Sequence, residues 1–265
     1  MIIPAVNPVA FQLFGLPIYW YGIVMASSIL VGVLVANFLF NKYNNQEKDF
    51  ILSIAPILII LGIIGARLYF CLLNVSYYIQ YPFQIFDIRQ GGLSIHGALI
   101  AGVLALIFYS IKGRINVLKL LDSIACATIL GQSIGRWGNY FNSEAYGLPV
   151  LGQGWGLFIP ESQRLAQYVN YELFHPAFFY ESVLNFLGFI ILLFVLKKNA
   201  QIRVGVTFFS YLIIYSIVRF FIEQIRVDSA LNICAVPIAQ IVSLILFFTG
   251  IVGVIAVIKI SKKAR

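Results

Sequence analysis

Long apolar runs alternate with short polar breaks along this chain, and the runs have the length of membrane spans. A helix crosses the hydrocarbon core of a bilayer in about 20 mostly apolar residues. Seven stretches qualify: Tyr19–Phe40, Phe50–Leu72, Leu93–Ile111, Val117–Gly135, Ala177–Leu196, Gly205–Ile222 and Val236–Ile258. The connections Asn41–Asp49, Lys112–Asn116 and Lys197–Val204 are short, Asn74–Gly92 is longer, and Arg136–Pro176 is long enough for a subdomain outside the membrane. Gly147, Gly152, Gly154, Trp155 and Gly156 give that last segment the composition of ordered turns rather than of a flexible linker. The pattern predicts an all-α integral membrane protein of about seven transmembrane helices. Residues 1–265 form one transmembrane domain, with a small extracytoplasmic insertion over residues 136–176 between spans four and five.

Composition removes the soluble alternative. Hydrophobic residues make up 61% of the 265 and charged residues 11%, with a mean hydropathy of +0.92, so polar groups could not cover the apolar surface. The start, Met1-Ile2-Ile3-Pro4, has no basic residue ahead of an apolar run, and the first span is expected to be retained rather than cleaved as a signal peptide. Cys71, Cys126 and Cys234 lie in or beside apolar runs without metal-ligand spacing and read as small buried hydrophobes. No HExxH or CxxC accompanies the two histidines, so no metal is expected.

Lysine sets the orientation. With the loops after spans one, three and five and the C-terminal tail in the cytoplasm, all nine lysines fall inside: Lys42, Lys48, Lys112, Lys119, Lys197, Lys198, Lys259, Lys262 and Lys263. Arg114, Arg203 and Arg265 join them, which puts 12 of the 18 basic residues on one side and the N-terminus outside. The net charge of +8 is therefore an insertion signal and implies no nucleic-acid partner. The six basic residues left over, Arg67, Arg89, Arg136, Arg164, Arg219 and Arg226, are all arginines. Insertion gives no reason for arginine on the outer side.

Each ionisable group inside a membrane costs roughly 2.5–3.5 kcal/mol on insertion scales and asks for a reason. Under this topology Tyr21, Arg67, His96, Arg136, Asn139, Glu144, His175, Glu181, Arg219 and Glu223 collect near the outer interface. On span six, Tyr215, Arg219, Glu223 and Arg226 sit at helical offsets that fall within an arc of roughly 80°, one polar stripe in which Arg219 and Glu223 form an i,i+4 pair. The segment Gly131–Glu144 is the densest. Gly131 and Gly135 offer a small-residue face for helix packing, Gly138 allows a chain reversal and close backbone approach, and Arg136 offers a bidentate fork to an anion. His96 follows Gly91-Gly92 at a helix start, whereas His175 before Pro176 reads as a turn residue. Trp20, Trp137 and Trp155 suit an aromatic belt. Gly131-Gln132-Ser133-Ile134-Gly135 matches the G-x-S-x-G nucleophile signature, but without the strand-to-helix elbow that the serine chemistry needs.

Taken in order, these motifs resemble bacterial prolipoprotein diacylglyceryl transferases over nearly the whole chain. The resemblance rests on Trp20-Tyr21-Gly22, Gly65-Ala66-Arg67, Gly91-Gly92-Leu93-Ser94-Ile95-His96-Gly97, Gly135-Arg136-Trp137-Gly138-Asn139 with Asn142 and Glu144, His175-Pro176 through Tyr180-Glu181, and Arg219-Phe220 through Glu223. It implies a cofactor-free transferase of the bacterial cytoplasmic membrane. Such an enzyme moves the sn-1,2-diacylglyceryl group of phosphatidylglycerol to the lipobox cysteine of a prolipoprotein signal peptide and releases glycerol phosphate. On that reading Arg136 and Arg219 stabilise the leaving phosphate. His96 is the candidate general base or thiol-orienting group. Tyr21, Asn139 and Glu144 position the headgroup and helix ends, Glu223 holds Arg219, and Tyr215, Arg67 and Arg226 complete the substrate-binding set, while Arg89 and Arg164 are surface residues. An anionic-lipid transporter is the competing class, and Asp122, deep in span four, is the residue that would mark its path.

Overall fold

The computed structural model describes residues 2–44, 48–88, 91–152, 154–227, 232–233 and 236–263. Arg89, Cys234 and Arg265 lie outside the described residues. The elements run β1 (Ile2–Ile3), β2 (Val9–Leu13), β3 (Leu16–Tyr19), α1 (Trp20–Tyr43), α2 (Phe50–Leu73), α3 (Val75–Gln80), α4 (Ile95–Lys112), α5 (Val117–Asn142), β4 (Gly156–Phe158), β5 (Leu173–Phe174), α6 (Ala177–Asn199), α7 (Val206–Ile225), β6 (Asn232–Ile233), β7 (Val236–Pro237) and α8 (Ile238–Lys263). Among the described residues seven of these helices, all but α3, are long and apolar enough to cross a membrane. The chain is thus a multi-pass helical membrane protein. It divides into two compact units, one of Met1–Ala36 with Leu121–Arg265 and one of Asn37–Leu120.

In the unit Asn37–Leu120, α2 and α4 pack along a glycine contact. A Cβ on Gly65 or on Gly97 would run into the other's carbonyl, so the backbones meet only because both positions lack a side chain. The turn into α2 is closed by Asp49, whose carboxylate accepts from Asn37 Nδ2 at 2.7 Å and Asn41 Nδ2 at 2.8 Å. Those bonds hold its carboxyl below the ordinary aspartate range. After α2 the chain forms α3 and a 3-10 turn over Pro82–Phe86, pieces that the apolar pattern did not reveal.

In the larger unit α5 is the axis. Its small-residue face carries α1: a Cβ on Gly131 would sit 3.5 Å from the Ser28 carbonyl, and one on Gly135 would sit 3.6 Å from Met25 Sδ. Its other side meets α6 through a reciprocal pair in which Ser133 Oγ donates to the Ser182 carbonyl and Ser182 Oγ to the Ser133 carbonyl, each at 2.8 Å. Gly188 admits Ile129 of α5 and Ile214 of α7, while Gly250 and Gly253 of α8 admit Ile213 and Phe209 of α7. At the opposite end of α5 the buried Asp122 caps α7, accepting from Gly205 N at 2.7 Å and Phe208 N at 2.8 Å. These amides are among the donors that a helix N-terminus leaves without an intrahelical partner.

The structure corrects the expected end of the fourth span. Helix α5 continues through Asn142, so the inserted segment begins at Ser143 rather than Arg136. Gly138 is helical and does not reverse the chain. A Cβ there would stand 2.9 Å from the Tyr21 ring, so the glycine serves the close approach alone. Reversal falls instead at Ser143 (φ 51°) and Ala145 (φ 55°). The segment beyond is small and partly β: β1 pairs parallel with β4 and β4 antiparallel with β5, over a core of Tyr146, Leu157, Ile159, Phe174 and Phe178. A β2–β3 hairpin precedes α1, turning at Phe14 and Gly15, both at positive φ.

Asp122→Ala is expected to leave the helix-start amides of Gly205 and Phe208 without this acceptor and to cost about 1–2 kcal/mol. Unfolding in detergent measures this, and an unchanged midpoint would contradict the capping role.

Candidate active site

Three helices of the larger unit converge on one carboxylate. Glu181, on the second turn of α6 and 2% exposed, takes Arg136 Nη2 of α5 on Oε1 at 2.8 Å and faces Arg219 Nη1 of α7 from Oε2 at 3.9 Å. Arg219 Nη2 meets Glu223 Oε2 one turn further along α7 at 2.6 Å, the i,i+4 pair that the spacing predicts. Around Arg136 the α5 terminus supplies its own order. Asn139, one turn on, places Oδ1 3.5 Å from Arg136 Nη1, and its Nδ2 donates to Glu144 Oε1 at 2.8 Å just past the helix end. Helical continuation through Asn142 makes this possible, because it aligns Arg136 and Asn139 as i,i+3 neighbours.

Packing fixes the walls. Trp137 makes edge contacts with Phe178 and Phe179, Trp20 stacks on Phe141 at 5.2 Å, and Trp155 packs on Phe179 and Tyr180. The loop after α5 is tied to the turn before α6 and to the end of α7: Gly147 N donates to the His175 carbonyl at 2.7 Å and Leu148 N to the Ile225 carbonyl at 2.8 Å. His175 is therefore a turn residue, its Nδ1 3.3 Å from Tyr180 Oη. An apolar cavity of about 400 Å³, lined chiefly by Trp20, Ile23, Val24, Ile134, Trp137 and Phe141, lies between α1 and α5.

The predicted residues divide into groups. Arg136, Asn139, Glu144, Arg219 and Glu223 are joined, directly or through Glu181, in this network. Tyr21 stands against Gly138 at its edge. Tyr215 lies one turn below Arg219 on α7, stacked on Tyr211 at 5.9 Å. Arg226 departs from the expected stripe: α7 stops at Ile225, and Arg226 is extended backbone (φ −75°, ψ 140°) bridged to Gly147. Arg164 is bound to the backbone of its own segment, through Ile159 O and Val169 O.

Arg67 and His96 belong to the other unit. All five N–H donors of the Arg67 guanidinium go to backbone carbonyls, those of Gln84, Ile85, Asp87, Gly91 and Gly92, at 2.5–3.0 Å. No donor is left for a headgroup, so the expectation that Arg67 binds substrate gives way to a loop clamp. His96 is exposed on the first turn of α4, its ring 6.1 Å from that of Tyr69. The turn carrying it is held by the Gly65–Gly97 contact and by Ser94 N donating to the Ala66 carbonyl at 3.0 Å.

Two competing chemistries meet structural answers. Ser133 is buried in a continuous helix and donates to the Ser182 carbonyl, which is a packing role and not a nucleophile's. Asp122 is spent as the cap of α7. The residue that sequence reasoning left out of the site is Glu181. Its signal was present as an acid in an apolar helix, but nothing in its spacing shows that it joins two other helices.

Such an arrangement defines a class: a multi-pass helical membrane protein with an arginine pair held on a buried carboxylate at one end of three helices. The profile of the prolipoprotein diacylglyceryl transferase family matches residues 8–256. The phosphatidylglycerol–prolipoprotein diacylglyceryl transferase of Bacillus cereus (strain 03BB102) is 40% identical over 254 residues, covering 96% of this chain and 93% of that protein. Proteins of the same name from Bacillus thuringiensis subsp. konkukian (strain 97-27) and Bacillus cytotoxicus match with the same identity and coverage. The chain belongs to the prolipoprotein diacylglyceryl transferase family.

Removing the shared carboxylate strands the Arg136 guanidinium and leaves Arg219 with Glu223 alone. Glu181→Ala is expected to lose about 3–5 kcal/mol, the range for breaking a buried ion pair by deleting one partner. Chemical unfolding in detergent reads this, and a variant as stable as the parent would show that the bridge is not structural.

Proposed function

We propose that this chain transfers the sn-1,2-diacylglyceryl group of phosphatidylglycerol to the lipobox cysteine thiol of a prolipoprotein signal peptide, the first step of bacterial lipoprotein maturation. One observation carries the reading. Two arginines from different helices are aligned on one buried carboxylate, and Arg219 Nη1 is buried without a hydrogen-bond partner, 3.9 Å from Glu181. A donor held there without an acceptor suits an anion that arrives with the substrate.

In the reaction the cysteine thiolate attacks the glyceryl carbon that bears the phosphate. A C–S bond forms, the C–O bond breaks with its electron pair going to the phosphate oxygen, and glycerol phosphate leaves. Charge grows on that oxygen, and Arg136 and Arg219 stabilise it as preorganised, charge-assisted donors. Glu181 and Glu223 hold the two guanidinium groups so that little reorganisation is needed. His96 is the candidate acceptor of the thiol proton, since a free thiol of pKa about 8.5 is weakly nucleophilic until ionised. Asn139, Glu144, Tyr21 and Tyr215 shape the headgroup side, and the apolar cavity between α1 and α5 suits an acyl chain. The lysine distribution supports a place in the bacterial cytoplasmic membrane with the N-terminus outside, the C-terminus in the cytoplasm and the arginine end at the outer headgroup level.

Purified protein incubated with phosphatidylglycerol vesicles and a lipobox peptide tests this by mass spectrometry of the diacylglyceryl adduct and of released glycerol phosphate. Arg136→Lys and Arg219→Lys are each expected to lower turnover by about 10²-fold, because an ammonium cannot supply the planar fork. Ser133→Ala is expected to stay active. Folded protein that yields neither product would defeat the reading.

A further inference from the structure

One helical turn beneath the arginine layer lies a second, uncharged polar layer whose amides the transfer chemistry above does not use. Asn185 is 1% exposed, and both its Nδ2 and its Oδ1 are buried without a hydrogen-bond partner. Gln132 Nε2 donates to Tyr211 Oη at 3.1 Å, but Gln132 Oε1 is likewise buried without a partner. Unmade hydrogen bonds of this kind cost stability, and the cost is steepest where no water competes.

Register places these groups together. Arg136 of α5 meets Glu181 of α6, and deeper in the bundle Ile129 of α5 meets Gly188 of α6. Gln132 is four residues before Arg136 and Asn185 is four after Glu181, so in this antiparallel pair both occupy the next turn on the faces in contact. Tyr211 and Tyr215 bring α7 to the same level. The layer therefore lies about 6 Å below the arginines, four residues at the helical rise.

We propose that Asn185, with Gln132, is the subsite that reads the hydroxyl groups of the lipid headgroup. The inference rests on Arg136 and Arg219 holding the phosphate. A glycerol headgroup esterified to that phosphate carries two hydroxyls, each a donor and an acceptor. Asn185 and Gln132 present one unmet donor group and two unmet acceptors, a complementary set. An acyl chain could satisfy none of them. A cationic headgroup would bring its charge toward Arg136 and Arg219 into a layer that offers only neutral amides and phenols. A neutral diol meets no such penalty, so the same layer would exclude amine headgroups.

The test compares transfer from phosphatidylglycerol with transfer from phosphatidylpropanol of identical acyl chains, whose headgroup lacks both hydroxyls, in vesicles with a lipobox peptide. The parent protein is expected to favour phosphatidylglycerol in kcat/KM by about 10²-fold or more, as sites built to bond a hydroxyl do. Asn185→Leu is expected to erase most of that preference by lowering kcat/KM for phosphatidylglycerol, leaving phosphatidylpropanol within about twofold and the melting temperature unchanged or raised. Gln132→Leu, a second variant on another helix, is expected to move the ratio the same way. Arg136→Lys reads the phosphate separately, because it should depress both lipids alike. If it spares both, the phosphate reading fails, while the Asn185 ratio still reports on the hydroxyls. A parent protein indifferent to the two lipids would overturn the proposal. So would Asn185→Leu and Gln132→Leu variants that keep the parent's preference or lose both lipids by the same factor.

Discussion

The Glu181 carboxylate is the constraint on which the rest of the larger unit depends. Two guanidinium groups inside a membrane protein are each expensive, and Glu181 between them faces both, with Glu223 as the second partner of Arg219. It can do so only if three helices keep their register to within a hydrogen bond. The reciprocal Ser133–Ser182 pair, the notch at Gly188 and the glycine contacts of α1 and α8 are what hold that register. In lipid there is little hydrophobic drive between helices, so such small-residue contacts and interhelical hydrogen bonds supply the association. Asp122 fixes the far end of the same assembly by tying α5 to the start of α7. Charge placement and helix packing are thus one problem with one solution.

Much of this was legible in the sequence. Span length and apolarity located seven helices to within a few residues at most ends, because the bilayer imposes a length that composition reports directly. The notable error was the end of α5. Gly135, Arg136, Gly138 and Asn139 have the composition of a loop, but Tyr21 packing on Gly138 and Trp137 packing on Phe178 and Phe179 sustain the helix for two further turns. The short strands and the short helix α3 were invisible for a related reason. They are set by pairing and by the Arg67 clamp on distant carbonyls, not by local periodicity. Within the site, spacing along α7 gave the Arg219–Glu223 pair because both members share one helix. Glu181 was missed as a bridge because its partners lie on two other helices. Arg67 shows the converse: depth alone cannot separate an arginine that meets a ligand from one consumed by its own backbone.

The two polar layers divide the work of recognition. Charge at the level of Arg136 and Arg219 suits phosphate and the developing negative charge of its departure, whereas the neutral amides one turn below suit hydroxyls. The apolar cavity between α1 and α5 stands at the side of α5 that carries Trp137, so a lipid could keep its chains in apolar surroundings while its headgroup meets the polar core. Lysine takes no part in this. The residues that converge on Glu181 are arginines, whose planar fork can grip a carboxylate and a phosphate at once.

If Arg136 and Arg219 act through Glu181 on a single phosphate, their contributions to transfer cannot be independent. A double-mutant cycle on kcat/KM with Arg136→Lys, Arg219→Lys and the combined variant tests this most directly. Groups that act as a unit lose most of their effect with the first substitution. The combined variant is therefore expected to be little worse than either single one, with a coupling energy on the order of 0.5–3 kcal/mol. Losses that simply multiply would mean that the two arginines serve separate tasks, and would contradict the account.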